Sequence, residues 1–364
     1  MRLLVEGQKL RGTYEVERYL GEGAFAEVYR VRHRFLGRQA MKVFKMTGMS
    51  LEETETMLDE AILLSRLGHP NIVRVFDADT IDTPRGVCGF FTMEYVAGGS
   101  LQQFWTSHGS RLVPVSVAVD VLKQCCRGLA VAHSENPPII HRDIKPQNIL
   151  VGYDATGIRV RVSDFGLAKR VNPLTLLASS KGTRSFKAPE ALQNLDSDSC
   201  AGDVWALGST LYLLLTDRLP FAEGGDTLTP ERFQLPLIPP SRLNVQADAL
   251  LDQIVFGTLA RDPKDRYGNA KELLADLDRW RPRARESGLA PSSSGDDTKS
   301  VLGLNSPPDD SRAREMARQA FELARKQGKL SEAADLMEES FNRSPEQRDE
   351  YEYWVKLWRR GIVG

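Results

Sequence analysis

The stretch His141-Arg142-Asp143-Ile144-Lys145-Pro146-Gln147-Asn148 decides the reading of this chain. Proline at 146 lacks an amide hydrogen and breaks a helix, so these polar residues are spaced along a loop and not along a helical face. Asp143 is a carboxylate able to accept the proton of an attacking hydroxyl, and Asn148, five residues on, offers an amide oxygen to a metal ion. Sixteen residues beyond Asn148, behind a short strand predicted over 160–162, comes Asp164-Phe165-Gly166. A carboxylate at a strand end, followed by glycine, suits a Mg²⁺ ligand on a movable joint. Asp-Phe-Gly by itself is a common tripeptide; placed after the 141–148 loop it reads as the second half of one site.

Upstream, from Tyr14 to about Phe91, the pattern is rich in strands. Tyr14–Gly21 and Glu27–His33 alternate apolar and polar residues, and Arg38–Phe44 continues as a third strand. Between the first two lies Gly21-Glu22-Gly23-Ala24-Phe25-Ala26-Glu27-Val28, where glycines let backbone N–H groups close over a phosphate chain. Taken alone, this is equally the plain turn of a hairpin. It opens no helix, which argues against a dinucleotide-binding fold. Lys42, on the third strand, and Glu60, on a helix predicted over 51–67 behind a Ser50/Glu53 capping box, could pair. An isolated strand lysine is as readily a solvated or edge-guarding residue.

Downstream of about residue 113 the pattern turns helical, with helices predicted at Val115–Ser134, Asp203–Leu215, Gln246–Leu259 and Ala270–Trp280. A small strand-rich part before a larger helical part predicts an α+β molecule of two lobes with a cleft between them.

These motifs, with His69-Pro70-Asn71-Ile72-Val73, Gly98-Gly99-Ser100-Leu101, Ala188-Pro189-Glu190, Asp203-Val204-Trp205 and Arg266, occur in the order of a known family. Over about residues 14–280, roughly three quarters of its length, the chain resembles a eukaryotic-type (Hanks-type) serine/threonine protein kinase. The resemblance implies the bilobal kinase fold, a small lobe over about 14–93, a large lobe over about 97–280 and an N-terminal extension over 1–13. It implies ATP and Mg²⁺ as cofactors, with Mn²⁺ as a substitute, and a protein substrate. By analogy the backbone from Leu20 through Gly21 and Gly23 covers the phosphates, while Lys42 holds the α- and β-phosphates and is clamped by Glu60. Val28, Ala40 and Leu150 sandwich adenine, Met93 is the gatekeeper, and Glu94 to Val96 form the hinge. Asn148 and Asp164 ligate the metal, Asp143 orients the substrate hydroxyl, and Lys145 neutralises the transferring phosphoryl group. Lys145 and Thr183 resemble the serine/threonine branch. Arg142 before Asp143 implies activation by loop phosphorylation, with Thr175, Ser179, Ser180 and Thr183 as acceptors. Glu190 and Arg266 are expected to form a structural ion pair. Ala26 replaces a glycine and Phe186 a tyrosine, without loss of a catalytic group.

The formal net charge of -1 argues against nucleic acid or an anionic membrane as partner. The most apolar run, Trp205 to Leu215, spans about 16 Å as a helix, too short for a bilayer. The start lacks the long apolar core of a signal peptide. Cys88, Cys125, Cys126 and Cys200 show no metal-ligand spacing. Cys125 and Cys126, in an apolar helical stretch, are expected to be buried free thiols, and the setting is expected to be cytoplasmic. Residues 281–311 form a Ser/Pro/Asp-rich linker. Over 312–364 helical spacing returns in three stretches, and 314–347 resembles one tetratricopeptide repeat on Gly328, Ala333 and Pro345. Such a unit is expected to pack on the catalytic domain or on a partner protein, and Trp354 and Trp358, at i and i+4, to pack in a core. Two other readings remain: a catalytically weak kinase-fold scaffold acting through ATP and its tail, and a small-molecule phosphotransferase. The Ala-Pro-Glu segment counts against the second.

Overall fold

The computed structural model describes residues 2–23, 25–45, 66–108, 112–154, 157–165, 185–194, 197–221, 233, 235–282, 310–325, 329–343 and 346–359. It divides into two compact units, Met1–Arg283 and Ala284–Gly364.

The first unit opens with six antiparallel strands, β1 (Lys9–Leu10), β2 (Tyr14–Glu22), β3 (Ala26–His33), β4 (Gly37–Phe44), β5 (Val75–Thr83) and β6 (Gly86–Glu94), in the order β1-β2-β3-β4-β6-β5. β-Branched and aromatic residues at alternate positions give the sheet two apolar faces. One carries Tyr14, Val16, Tyr29, Val31, Met41 and Val43. The other carries Ala26, Ala40, Phe44, Phe91 and Met93, with Val28 and Leu150 against them. The register sets Ala40 opposite Met93 and Lys42 opposite Phe91. Leu3 and Leu4 are fully buried in the first of these clusters, so residues of the segment read as an extension belong to the sheet's packing. Of the helix expected over 51–67, only Arg66 and Leu67 are described; Glu60 lies outside the described residues.

The helical part follows with α1 (Leu101–Ser107), α2 (Val115–His133), the hairpin β7 (Ile149–Asp154) and β8 (Gly157–Val162), α3 (Pro189–Gln193), α4 (Cys200–Thr216), α5 (Pro240–Leu243), α6 (Ala249–Thr258) and α7 (Ala270–Arg279). Their starts are written in side chains: Ser100 and Gln103 close a capping box on α1, Ser199 caps α4, Asp248 caps α6 and Asn269 caps α7. The helix expected from Gln246 therefore begins after Asp248. α4 is the run Trp205–Leu215 with one turn added before it, and every residue from Val204 to Thr216 is buried, as a core helix requires. Asn71 ties the lobes' connection down, donating its side-chain amide to the Val160 carbonyl at 2.8 Å, while Val73 N–H bonds Val162 O at 3.0 Å.

The second unit holds α8 (Asp310–Ala324), α9 (Leu330–Arg343) and α10 (Glu346–Arg359). Alanines at 317, 320, 324, 333 and 334 let α8 and α9 approach closely, and Met337, Phe341, Val355 and Trp358 fill the space beside them. Phe321 meets Tyr351, Trp354 and Trp358 edge-on at 4.9–5.7 Å. Trp358 is buried in the core of this unit, and Trp354 packs against it, partly buried.

Candidate active site

The 141–148 loop owes its shape to one carboxylate. Asp203, buried in the first turn of α4, accepts the His141 N–H at 2.7 Å and the Arg142 N–H at 2.9 Å. His133 Nε2 donates to the same carboxylate at 3.0 Å, because its Nδ1 already accepts the Ala270 N–H at 3.2 Å. Burial works against the charge, but the His133 bond, the neighbouring histidines and the His141 N–H together hold Asp203 below the usual carboxylate range. Arg142 sits at φ 71°, a strained conformation for a residue with a Cβ, and the two amide bonds to Asp203 are what hold it there. His141 is fully buried, accepting the Asp143 N–H at Nδ1 (3.2 Å) and donating from Nε2 to Ser163 O (2.8 Å). Burial lowers its pKa and keeps it neutral.

Asp143 projects from this frame. Its Oδ2 receives Lys145 Nζ at 2.8 Å and Asn148 Nδ2 at 2.9 Å. The same Nδ2 donates to the Asp143 carbonyl at 2.8 Å, which leaves the Asn148 side-chain oxygen free of that bond pair and able to serve a cation. Pro146–Asn148 forms a single 3-10 turn, so the loop expected from Pro146 is present. Asp164, at φ 63°, follows β8 and takes Lys42 Nζ at 2.7 Å. Burial opposes ionisation of Asp164, and the Lys42 ammonium outweighs it, keeping the carboxyl below its usual range. Lys42 itself is buried against the Phe91 ring, 5.5 Å from its centroid.

Val28, Ala40, Met93 and Leu150 share one apolar cluster. Glu94 turns its carboxylate to Arg161 Nε at 2.6 Å, and its backbone N–H donates to the Arg74 carbonyl at 2.8 Å. Val96 packs within 3.2 Å of where a Cβ on Gly152 would stand. A Cβ on Gly98 would lie 2.3 Å from the Val151 carbonyl, so the chain leaving the hinge touches β7 backbone and needs glycine. Gly21 and Gly23 differ: neither adopts positive φ, and a Cβ on either meets open space. Packing does not demand glycine there, whereas close approach of a ligand would. The oxygen donors Asn148 and Asp164 fit a hard cation such as Mg²⁺, which takes few protein ligands and fills its shell with phosphates and water. Leu20, beside Gly21 on β2, is exposed.

Arg142 Nε lies 3.3 Å from Asp198, and Lys187 Nζ donates to the Arg142 carbonyl at 2.7 Å. Gly166, Thr175, Ser179, Ser180 and Thr183 lie outside the described residues. Glu190 and Arg266 form the expected ion pair, two bonds of 2.6 and 2.8 Å. His133 and Glu27 had no sequence signal: their partners are 70 and 24 residues away. Cys88, Cys125 and Cys126 are buried free thiols, and burial pushes Cys125 up to about 12. Among the described residues no helix is long and apolar enough to cross a membrane.

Known proteins are similar to this chain in sequence and fold. The family model described as the protein kinase domain matches residues 14–277. A probable serine/threonine-protein kinase of Clostridium perfringens is 32% identical over 280 residues, 75% of this chain and 39% of that protein. Serine/threonine-protein kinase PknB of Mycobacterium tuberculosis is 35% identical over 278 residues, 74% of this chain and 43% of that protein. The crystal structure of the Mycobacterium tuberculosis PknI kinase domain matches with a TM-score of 0.56 and 28% identity, over 76% of this chain and 99% of that domain. The chain thus spans about two fifths of the length of the curated relatives it matches. With the 141–148 loop, the Lys42–Asp164 pair and the apolar cluster around Ala40 in one fold, the chain belongs to the protein kinase domain family, with relatives of the serine/threonine class.

Proposed function

We propose that this chain transfers the γ-phosphoryl group of ATP to serine or threonine hydroxyls of protein substrates. The observation that carries the reading is the Asp143 carboxylate, steered by Lys145 and Asn148 on a loop fixed by Asp203. Asp143 takes the hydroxyl proton as the new O–P bond forms, and the bond from the γ-phosphorus to its bridging oxygen breaks, releasing ADP. Lys145, 2.8 Å from Asp143, is near enough to offset charge gathering on the phosphoryl oxygens. Lys42 would hold the α- and β-phosphates, exchanging part of its bond to Asp164 for them, with Glu60 as its clamp. Asn148 and Asp164 would hold Mg²⁺, or Mn²⁺ in its place, which supplies charge neutralisation between phosphates. Leu20, Val28, Ala40, Met93 and Leu150 would enclose adenine, with Glu94 to Val96 as the hinge.

Regulation by phosphorylation at Thr175, Ser179, Ser180 or Thr183 belongs to the same proposal. Its receiving end would be Arg142, where a phosphate has to compete with Asp198. The helical segment over 312–364, as a tetratricopeptide-like unit, would serve a protein partner. Four free thiols support a reducing, cytoplasmic setting.

The test is phosphotransfer from labelled ATP and Mg²⁺ to the chain itself and to a generic basic protein, with phosphosites mapped, beside Asp143→Ala and Asp164→Ala. Transfer to Ser/Thr by wild type, lost in both variants, is expected. Bound ATP with no transfer would replace the enzyme by a nucleotide-binding scaffold.

A further inference from the structure

Glu27 is a buried carboxylate that the phosphotransfer chemistry does not use. It stands in the last pair of the β2–β3 hairpin, opposite Glu22, one residue before Val28. Val28 joins the apolar cluster beside Ala40 and Met93, whereas Tyr29 joins the cluster on the opposite sheet face. Glu27 turns to the Tyr29 side and is 4% exposed. Its Oε2 accepts the Leu3 backbone N–H at 2.9 Å and the Tyr29 hydroxyl, and that hydroxyl oxygen in turn accepts the Leu4 N–H at 3.0 Å. Burial first, and then the Glu27 hydrogen bond, raise the Tyr29 pKa, so the hydroxyl stays a donor to Glu27.

The rest of the segment is tied in the same way. Leu3 and Leu4 insert their side chains under the sheet. Arg2 lies over the Tyr19 ring at 4.1 Å, and Tyr19 packs edge-on against Tyr29. Gly7 N–H bonds Val16 O at 2.8 Å, and Val16 N–H bonds Gln8 O at 2.9 Å. Two consecutive amides and two leucines are thus fastened to the strand that closes the glycine-containing turn, on the face away from the nucleotide. The turn's other flank is held by Lys45, which bonds Glu22 at 2.8 Å and the Gly23 carbonyl at 2.9 Å. A turn with open space on its ligand side depends on what holds its back.

We infer that residues 2–8 form a strap that positions the phosphate-covering turn, and that Glu27 is the positioning residue through which the strap acts on ATP binding. This rests on the nucleotide reading of the cleft. Glu27 touches no substrate; it fixes the backbone between Ala26 and Val28 by capturing the Leu3 amide.

The experiment compares the full chain with Glu27→Ala, Glu27→Gln and Leu3→Ala/Leu4→Ala in steady-state assays that vary ATP and protein substrate separately. ATP binding by calorimetry and thermal melts accompany them. Glu27→Ala is expected to raise the ATP KM and Kd by about fivefold, the size that one hydrogen bond supports. The protein-substrate KM should stay within about twofold, since the strap packs behind the ATP turn only. Glu27→Gln should recover most of the ATP affinity, because its amide oxygen still accepts the Leu3 N–H. The leucine pair should follow Glu27→Ala. A merely structural Glu27 would lower melting temperature and active fraction while leaving the ATP KM of the folded enzyme unchanged, and that result overturns the proposal. Failure of the wild type to bind ATP at all would instead remove the nucleotide reading on which the strap's role depends.

Discussion

Glu190→Gln tests the energetics of the large lobe. Arg266 has no exposed side-chain surface, and its guanidinium is held by Glu190 in two parallel bonds of 2.6 and 2.8 Å. Its remaining donors reach the carbonyls of Ala260 at 2.6 Å and Arg261 at 2.9 Å, and the group lies over Trp205 at 4.8 Å. Glutamine conserves the shape but removes the charge and turns an NH₂ donor toward a donor. Stranding a buried cation costs about 3–5 kcal/mol. Glu190 keeps 19% of its side-chain surface exposed, so water can reach part of the gap and the lower end, about 3 kcal/mol, is expected. For a domain of this size that is a fall of roughly 6–12 °C in melting temperature. Urea unfolding followed by tryptophan fluorescence measures it, since Trp205 lies directly against the guanidinium. Arg266→Met in the same background should recover part of the loss, because the double variant leaves no charge stranded. A loss below about 1 kcal/mol in Glu190→Gln, with no coupling to Arg266→Met, would show that the cation is adequately solvated by carbonyls alone and refute the reasoning.

Lys42→Met removes the ammonium 2.7 Å from Asp164, and kcat/KM should fall by about 10²-fold or more in phosphotransfer assays, while the fold survives in circular dichroism. Gly23→Ala and Gly98→Ala should separate ligand space from packing. The first leaves melting temperature unchanged and raises the ATP KM, whereas the second, with its Cβ 2.3 Å from Val151 O, destabilises the free protein. Acid should weaken the fold below about pH 6.5, because burial depresses the His141 pKa below its ordinary value of 6.5 and the unfolded chain then binds the extra proton. The stability from neutral His141 is complete above pH 6.5 and lost as pH falls toward its folded pKa, with a slope of up to about 1.4 kcal/mol per pH unit. Asp203, also depressed, adds its own loss only below the ordinary carboxylate value of 3.8. Urea titrations from pH 7.5 to 5 check this, and a flat profile contradicts it.

The sequence disclosed what is local. Proline at 146 broke the helical option, so the loop carrying Asp143, Lys145 and Asn148 could be read without a structure. The strand pattern placed β3 and β4 to within a residue, while the grouping of Val28 with Ala40 came only from the family resemblance. What stayed hidden depends on distant partners. His133 reads as the last turn of an apolar helix until the fold brings Asp203 to it, and Asp203 reads as a motif residue whose two amide partners lie 61 and 62 positions away. Leu3 and Leu4 are too short a run to show a period, so their segment read as an extension although the sheet buries both. In the tail, the i, i+4 spacing of Trp354 and Trp358 was legible, but that both close over Phe321 was not, because Phe321 stands more than thirty residues earlier on α8.

The two sides of the cleft are held by different physics. On the large-lobe side, Asp203 collects two backbone amides and a histidine below solvent, and His141 passes the constraint on to Asp143 and Ser163. No member can move without leaving a buried polar group unpaired, which makes Asp143 stiff and its position insensitive to salt. On the small-lobe side, the turn at Gly21 to Gly23 has open space before it, a partly exposed Lys45–Glu22 pair at its flank and the Leu3–Glu27 bond behind it. That side can yield when nucleotide enters or leaves. It follows that substitutions below the catalytic loop should act mainly on kcat and on stability together, whereas substitutions behind the turn should act mainly on the ATP KM. A variant such as Asp203→Asn that altered only the ATP KM would break this division, because its carboxylate contacts only the frame of Asp143.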